Sequence, residues 1–402
     1  MTRKLVIVTS RFPFGGHEAF LAPELDELAK HFERIVLVPV HPVVSLPRRA
    51  LPDRVDVLGW PLIGAELVRR AAMIVRRHPN RAAHAVSSVL RSRDRGRVKN
   101  LTVIVKALAL ADWVIEHEFD HIHSYWMSTP ATVAHIAAAA SGVAWSATAH
   151  RWDIYERNAF DVKERSAAFV RTISTRGTAD LGERMPRLEQ RVLELRLGAL
   201  VPPLVDAPAP GPEFHIVSPA ALIPRKGHTD LLAAVAELRA LRVPVRCTLC
   251  GTGELRRTLE LQAAALGIAD AIEFAGFVPQ SSLQAWYREG RFAVVALASR
   301  ADRPSERMEG VPAAVIEAMA FGIPVVATDS GSVCELLDDE CGRLVRPEDP
   351  HALALALYDV YCNPGAAQAR ARHAHKRVGQ LHDARVQMRE LAALICGDRT
   401  PA

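Results

Sequence analysis

The 402-residue sequence predicts an α/β protein made of two doubly wound parallel sheets, and three observations carry that expectation. Apolar runs of strand length alternate with helix-length segments, the pattern of a parallel sheet covered by helices on both faces. A proline-rich stretch, Val201-Pro-Pro-Leu-Val-Asp-Ala-Pro-Ala-Pro-Gly-Pro212, interrupts the alternation, which then restarts. The length also exceeds what one ordinary core supports, so two domains are expected.

In the first half the spacing predicts strands at Lys4–Ser10, Arg34–Val40, Val55–Leu58, His121–Tyr125, Val143–Thr148, Phe169–Ser174 and Val192–Leu197. In the second half they are expected at Phe214–Ser218, Arg246–Cys250, Ile272–Phe274, Phe292–Ala296, Pro324–Ala327 and Gly342–Val345. Helices are expected between them at Thr229–Leu241, Glu254–Leu266 and Ala313–Phe321, with a last one near Ala384–Ile395. The domain division that follows is 1–200, a linker at 201–212, then 213–375. Residues 376–402 are expected to form a C-terminal helix that packs back on the first domain. Two such sheets joined by a linker would face a central cleft, and ligands bind outside the carboxyl ends of the strands.

Composition narrows the class. Nearly half the residues are apolar and the net charge is only +5, which describes a globular protein. No run of 18 or more uninterrupted apolar residues suggests a spanning helix. Met1-Thr-Arg-Lys-Leu-Val-Ile-Val reads as a first strand rather than an export signal, so a cytoplasmic location is expected, with free thiols at all six cysteines. Cys247-Thr-Leu-Cys250 has the spacing of a redox or metal motif but falls in a strand. The pattern His117-Glu-Phe-Asp-His121-Ile-His123 raises a metal site and is read as structural. Between Arg69 and Lys99 ten Lys and Arg stand against one acid, Asp94. There, Leu67-Val-Arg-Arg-Ala-Ala-Met-Ile-Val-Arg-Arg alternates arginine pairs with apolar residues at helical spacing. Such a helix fits the surface of an anionic membrane, at its inner face; the competing reading is an ordinary solvated face. No aromatic interleaving accompanies the charge, so no nucleic-acid partner is expected.

Candidate site residues fall at predicted strand ends. Gly15-Gly16 follows the first strand and opens a helix start to a ligand. Val143-Ala-Trp-Ser-Ala-Thr-Ala-His150 ends a strand on a histidine able to bond a polar substrate. Arg225-Lys226-Gly-His follows the strand at Phe214 and sets two cations where a diphosphate would lie. Cys250-Gly251-Thr-Gly253 is a glycine turn between strand and helix, and Gly276-Phe277-Val278 ends a strand with backbone groups free to meet a base. The richest stretch is Glu309-Gly310-Val311-Pro-Ala-Ala-Val-Ile-Glu317. It puts one carboxylate at the positive start of a helix and a second about one and a half turns inside it, at ~1.5 Å rise per residue. Two glutamates at this spacing arise easily by chance. The apolar neighbours Val315, Ile316, Ala318 and Met319 make a solvated face a poor account of Glu317, since a buried carboxylate needs partners.

Together these motifs resemble the retaining glycosyltransferases of family 4, which have the GT-B fold of two facing Rossmann-like domains. The resemblance covers nearly the whole chain and is strongest from Phe214 to Pro350. It rests on Met308-Glu309-Gly-Val-Pro, Ile316-Glu317-Ala-Met-Ala, Gly322-Ile-Pro-Val-Val-Ala-Thr, Gly331 and Glu335-Leu. Ala147–Tyr155 and the Met-Glu-Gly form of the motif are similar to exopolysaccharide enzymes of the colanic acid and amylovoran type.

The resemblance implies transfer of a hexose-type sugar, with retention, from a nucleoside-diphosphate sugar to a saccharide or lipid-linked acceptor. It implies that Glu309 holds the donor sugar, Glu317 the ribose and Lys226 the diphosphate, with His150 near acceptor and donor sugar. Phe277 and Val278 would flank the base, and Gly310, Val311 and Gly16 would offer amides. Charge on the leaving diphosphate would be met by Lys226, Arg225 and helix amides, so no metal or other cofactor is expected. One departure stands out: the family's Gly-Arg five residues before the lysine is here Ala220-Ala221. The alternatives left open are a nucleotide-sugar epimerase on the same fold and a non-catalytic partner in a polysaccharide-assembly complex.

Overall fold

The computed structural model describes residues 3–398 apart from 17, 47, 95, 205–212 and 301–309. Most of the proline-rich linker, together with Glu309, lies outside the described residues. The chain divides into two compact units, one from Met1–Gly198 with Ala384–Ala402 and one from Ala199–Asp383. The division falls later than the 375/376 boundary read from sequence, because the helix Pro364–Leu381 runs unbroken across that point and stays with the second unit.

Among the described residues the first unit has seven strands: β1 (Lys4–Thr9), β2 (Arg34–Pro39), β3 (Val55–Val57), β4 (His121–Ser124), β5 (Ala144–Ala149), β6 (Val170–Thr172) and β7 (Val192–Glu194). They pair in parallel in the order β3-β2-β1-β4-β5-β6-β7. β1 is apolar almost throughout because both sheet faces are covered. Its Val6 and Val8 join one core, and Leu5 and Ile7 the other. The first core includes the helix Thr129–Ser141, which carries a proline in its first turn and ends at Gly142 with φ +92°. The other is closed by the helix Leu21–Leu28 and, from the far end of the chain, by Met388, Leu391 and Ile395 of the helix Ala384–Cys396.

The second unit has six strands among the described residues: β8 (Phe214–Ser218), β9 (Val245–Cys250), β10 (Ile272–Gly276), β11 (Val294–Leu297), β12 (Val325–Thr328) and β13 (Arg343–Val345). Their order is β10-β9-β8-β11-β12-β13, again all parallel. In each sheet the winding reverses at one place, between β1 and β4 and between β8 and β11. Those switch points are where an open α/β sheet leaves a crevice.

One buried ion pair fixes the edge of the first unit. Arg171 on β6 and Glu24 on the helix Leu21–Leu28 are both 0% exposed and 2.6 Å apart. Arg171 also donates to the carbonyls of Leu195 and Arg196, both at 2.7 Å, and Glu24 accepts from the Gly198 amide at 2.7 Å. A Cβ on Gly198 would stand 2.9 Å from the Ala384 Cα, so departure and return of the chain are packed backbone to backbone. Burial raises the cost of either charge alone, and truncating one partner leaves the other unpaired. Glu24→Ala or Arg171→Ala should therefore cost the first unit about 3–5 kcal/mol in denaturant unfolding. The double replacement Glu24→Leu/Arg171→Met should cost less than either.

Candidate functional site

In the second unit the loop after β8 carries the predicted diphosphate residues. A short 3-10 turn, Pro224–Lys226, leads through Gly227 into the helix His228–Ala240. Gly227 has φ +61°, and a Cβ there would lie 1.8 Å from the Ala298 carbonyl oxygen at the end of β11. Only glycine permits both the left-handed turn and that approach, so the loop of β8 is clamped to the exit of β11 at the switch point. Arg225 and Lys226 are half-buried there. The Arg225 carbonyl accepts from the Arg300 amide at 2.8 Å, and the Arg300 guanidinium holds Asp230 through Nε at 2.8 Å and Nη2 at 2.5 Å.

Gly251 has a different role from the expected phosphate-facing turn. A Cβ on it would meet the Ala220 carbonyl oxygen at 2.0 Å, and one on Gly253 the Leu222 carbonyl oxygen at 2.3 Å. These glycines let the loop after β9 lie against the loop after β8, an arrangement sealed by Leu222 N–H to Thr252 O and Leu255 N–H to Leu222 O, both 3.0 Å. Ala221, where the resemblance implies an arginine, is exposed, and its carbonyl accepts from His228 Nε2 at 3.0 Å. His228 is buried and its other ring nitrogen has no partner; burial lowers its proton affinity. Sequence reading passed over His228.

Gly310 and Val311 run into Pro312, which precedes the helix Ala313–Ala320 between β11 and β12. Glu317 on that helix accepts from Gln284 Nε2 at 2.6 Å. Burial holds its carboxyl above the ordinary glutamate range, against the opposing pull of Gln284 and Gln280. Beside it, the Tyr287 hydroxyl is buried without a partner, and burial together with the Glu317 charge raises its pKa. Phe277, after β10, is 60% exposed, and Val278 is half-buried. Glu309 lies outside the described residues. The second unit thus gathers Arg225, Lys226, Gly310, Val311 and Glu317 on segments that leave β8 or follow β11, while Phe277 and Val278 follow the edge strand β10.

His150 belongs to the first unit, at the end of β5. It is 8% exposed; its ring faces the Asp153 amide in a capping box, yet neither ring nitrogen forms a full hydrogen bond. Its Nδ1 stands 3.8 Å from Asp153 Oδ2, beyond bonding reach. Asp153 instead accepts from the amides of His150 at 3.1 Å and Met127 at 2.9 Å. The imidazole is flanked by Trp126, ring centroids 4.5 Å apart, and by Phe20 at 5.4 Å. An unpaired buried polar atom costs roughly 1–3 kcal/mol, so the two bare ring nitrogens mark a place where a ligand's polar groups fit. Gly16 is exposed in the loop after β1. The anion-seeking amides of that loop, at Ser10, Arg11 and Phe12, are taken by the protein's own Glu18.

The other histidines and cysteines of note are structural. His121 Nε2 and His123 Nδ1 both meet Ser146 Oγ, at 2.8 and 2.7 Å, and His123 Nε2 meets Thr148 Oγ1 at 2.9 Å. Burial pushes His121 down to about 4. Cys247 and Cys250 are free and buried in β9, on opposite faces by strand alternation, and burial pushes Cys250 up to about 12. Among the described residues no helix is long and apolar enough to cross a membrane.

Comparison with known proteins fits this geometry. Residues 206–377 match the family described as glycosyl transferases group 1. WcaL of Escherichia coli K12, assigned to colanic acid biosynthesis, is 32% identical over 190 residues, 46% of each chain. The amylovoran biosynthesis glycosyltransferase AmsK of Erwinia amylovora is 32% identical over 148 residues, 36% of this chain and 35% of that one. The GDP-mannose-dependent alpha-(1-6)-phosphatidylinositol monomannoside mannosyltransferase of Mycolicibacterium smegmatis is 34% identical over 156 residues, 38% of this chain and 40% of that one. The match thus spans less than half the length of these relatives. Over the whole chain, HepE of Anabaena in complex with UDP-glucose superimposes with a TM-score of 0.71 at 17% identity, covering 98% of this chain and 100% of that one. Sucrose-phosphate synthase of Thermosynechococcus elongatus gives 0.69 at 16%, covering 99% and 100%. At these identities the likeness speaks for fold alone. The chain therefore carries a glycosyl transferases group 1 domain over residues 206–377 and has the GT-B fold.

Proposed function

We propose that this protein is a retaining glycosyltransferase that moves a sugar from a nucleoside-diphosphate sugar to a hydroxyl of a saccharide or lipid-linked acceptor, in polysaccharide or glycolipid biosynthesis. The observation that carries the reading lies in the second unit. Within a domain of the glycosyl transferases group 1 family, Lys226, the Gly310–Val311 helix approach and Glu317 sit on segments at the carboxyl ends of neighbouring strands, at the switch point.

In the proposed step the bond from the anomeric carbon to the diphosphate breaks, and its electron pair leaves with the nucleoside diphosphate. Lys226, Arg225 and the amides of Gly310 and Val311 offset the developing charge. The acceptor oxygen bonds to the same face of the anomeric carbon, and its proton passes to the leaving phosphate. Glu309 holds the sugar hydroxyls, Glu317 the ribose, and Phe277 and Val278 flank the base; Gly16 offers an amide and His150 bonds a sugar hydroxyl. No metal or other cofactor takes part.

The arginine-rich helix Ala65–Arg77 supports a peripheral contact with anionic lipid, within the basic 69–99 region. Its arginines divide. Arg70 is bound to Glu66, Asp112 and Glu116, and Arg77 to Asp112, whereas Arg69 and Arg76 have no ion-pair partner among the described residues. The latter two share the outward side with exposed Val68 and Val75.

A panel of UDP-, GDP- and dTDP-sugars, followed for nucleotide release with and without lipid-linked acceptors, tests the activity. Acceptor-dependent release is expected; epimer formation without release would favour the epimerase reading. With neither release nor nucleotide binding, a non-catalytic partner would fit better, as the missing arginine at Ala221 suggests. Glu309→Ala should abolish transfer and leave nucleoside-diphosphate binding largely intact. Glu317→Gln should weaken that binding about tenfold, the equivalent of ~1.4 kcal/mol for one charge-assisted hydrogen bond. It should also stabilise the ligand-free protein at neutral pH. The folded-state pKa of Glu317 is raised above its unfolded value of 4.5, so stability is lost as pH rises through the folded value and the gain from Gln vanishes below about 4.5. Arg69→Glu/Arg76→Glu should release the protein from phosphatidylglycerol vesicles in sedimentation without changing transfer to a soluble acceptor.

A further inference from the structure

The groups around His150 form a chain of support that begins at the end of β1. Glu18 is 4% exposed, and its carboxylate accepts from the amides of Ser10 at 3.2 Å, Arg11 at 2.5 Å and Phe12 at 2.6 Å. Its Oε1 also takes a short hydrogen bond from the Trp126 indole Nε1. One carboxylate with four N–H donors is a saturated anion site, and hydrogen bonds to an ionised acceptor are the strong ones. The loop that carries Trp126 is fixed from behind as well. Lys163 Nζ donates to the carbonyls of Met127 at 2.8 Å and Ser128 at 2.9 Å, and Ser124 Oγ donates to the Trp126 carbonyl at 2.7 Å. Trp126 then lies against the His150 ring at 4.5 Å with the planes tilted 36°. Phe20, two residues after Glu18, meets both rings edge-on.

A histidine is usually oriented through a hydrogen bond to one ring nitrogen. His150 has no full hydrogen bond at either ring nitrogen, only the capping-box approach of the Asp153 amide. What else limits its rotation is aromatic contact, and Glu18 holds the larger of those aromatics. We propose that Glu18 is a positioning residue for His150: by holding the Trp126 indole it fixes the imidazole plane while leaving a ring nitrogen available to a sugar hydroxyl. The role rests on the transferase reading, since it acts through His150 and touches no substrate. It also explains why the amides of the β1 loop, a natural phosphate cradle, are occupied by an internal carboxylate.

A double-mutant cycle with an independent spectroscopic arm tests the proposal. Glu18→Gln keeps the shape but removes the charge; Trp126→Phe keeps a ring against His150 and removes the indole N–H. Each should lower kcat tenfold or more while the KM for the donor and the affinity for nucleoside diphosphate change less than twofold. In a His150→Ala background the same substitutions should change kcat less than twofold, because there is no imidazole left to position. Equal losses in both backgrounds would show a merely structural role and overturn the proposal, with the transferase reading intact. In ¹³C-labelled histidine spectra, the His150 ring signal, assigned by its loss in His150→Ala, should shift and broaden in Glu18→Gln. An unchanged signal in both variants would also overturn it. Should the wild-type protein prove inactive with every donor, the transferase reading falls and the spectra alone decide whether Glu18 orients the ring. Matched thermal unfolding of each variant separates these effects from loss of fold.

Discussion

The Arg171–Glu24 pair is the constraint on which the first unit depends. A fully buried arginine can be tolerated only if its donors are met, and here they are met by one carboxylate and two carbonyls of the segment leaving the sheet. The same carboxylate binds the next amide along, at Gly198. Helix, sheet edge and departing chain are thus tied at a single point. Because Gly198 lies against Ala384, the returning segment is fixed there too.

The two sheets solve the problem of their switch points in different ways. In the second, glycines at 227, 251 and 253 let three loops approach until main chain touches main chain, with cations and helix amides on the segments around them. In the first, side chains fill the crevice: an indole, held by a carboxylate, and a phenyl ring flank an imidazole. A backbone-lined crevice suits an anion whose charge is spread over many oxygens. A crevice lined by aromatic rings and an unpaired imidazole suits a neutral, hydroxyl-rich molecule.

Much of the fold was legible in the sequence. The thirteen strands of the described residues lie where the sequence predicted them, mostly within a residue or two, because most strands buried on both faces show as nearly continuous apolar segments. The boundary near 375 was not legible, since nothing in the helix Pro364–Leu381 marks where it stops serving one unit. The site was legible wherever chemistry and turn coincide, as at Arg225-Lys226-Gly227. Glycine's purpose was not: Gly251 reads as a phosphate turn, yet its missing side chain makes room for the Ala220 carbonyl. Glu18, Tyr287 and His228 were missed for a common reason. Their importance comes from what they touch in space, and an isolated Glu, Tyr or His carries no local signal of that.

The interleaving of the chain has a consequence for biosynthesis. The second unit is one contiguous segment, complete before the helix Ala384–Cys396 is translated. The first unit must wait for that helix, whose Met388, Leu391 and Ile395 cover Leu21 and Leu25. Until they arrive, part of the apolar face of the unit synthesised first stands open to water. The half of the protein made first is therefore the half finished last, and a nascent chain stalled before residue 384 would present a greasy surface to chaperones.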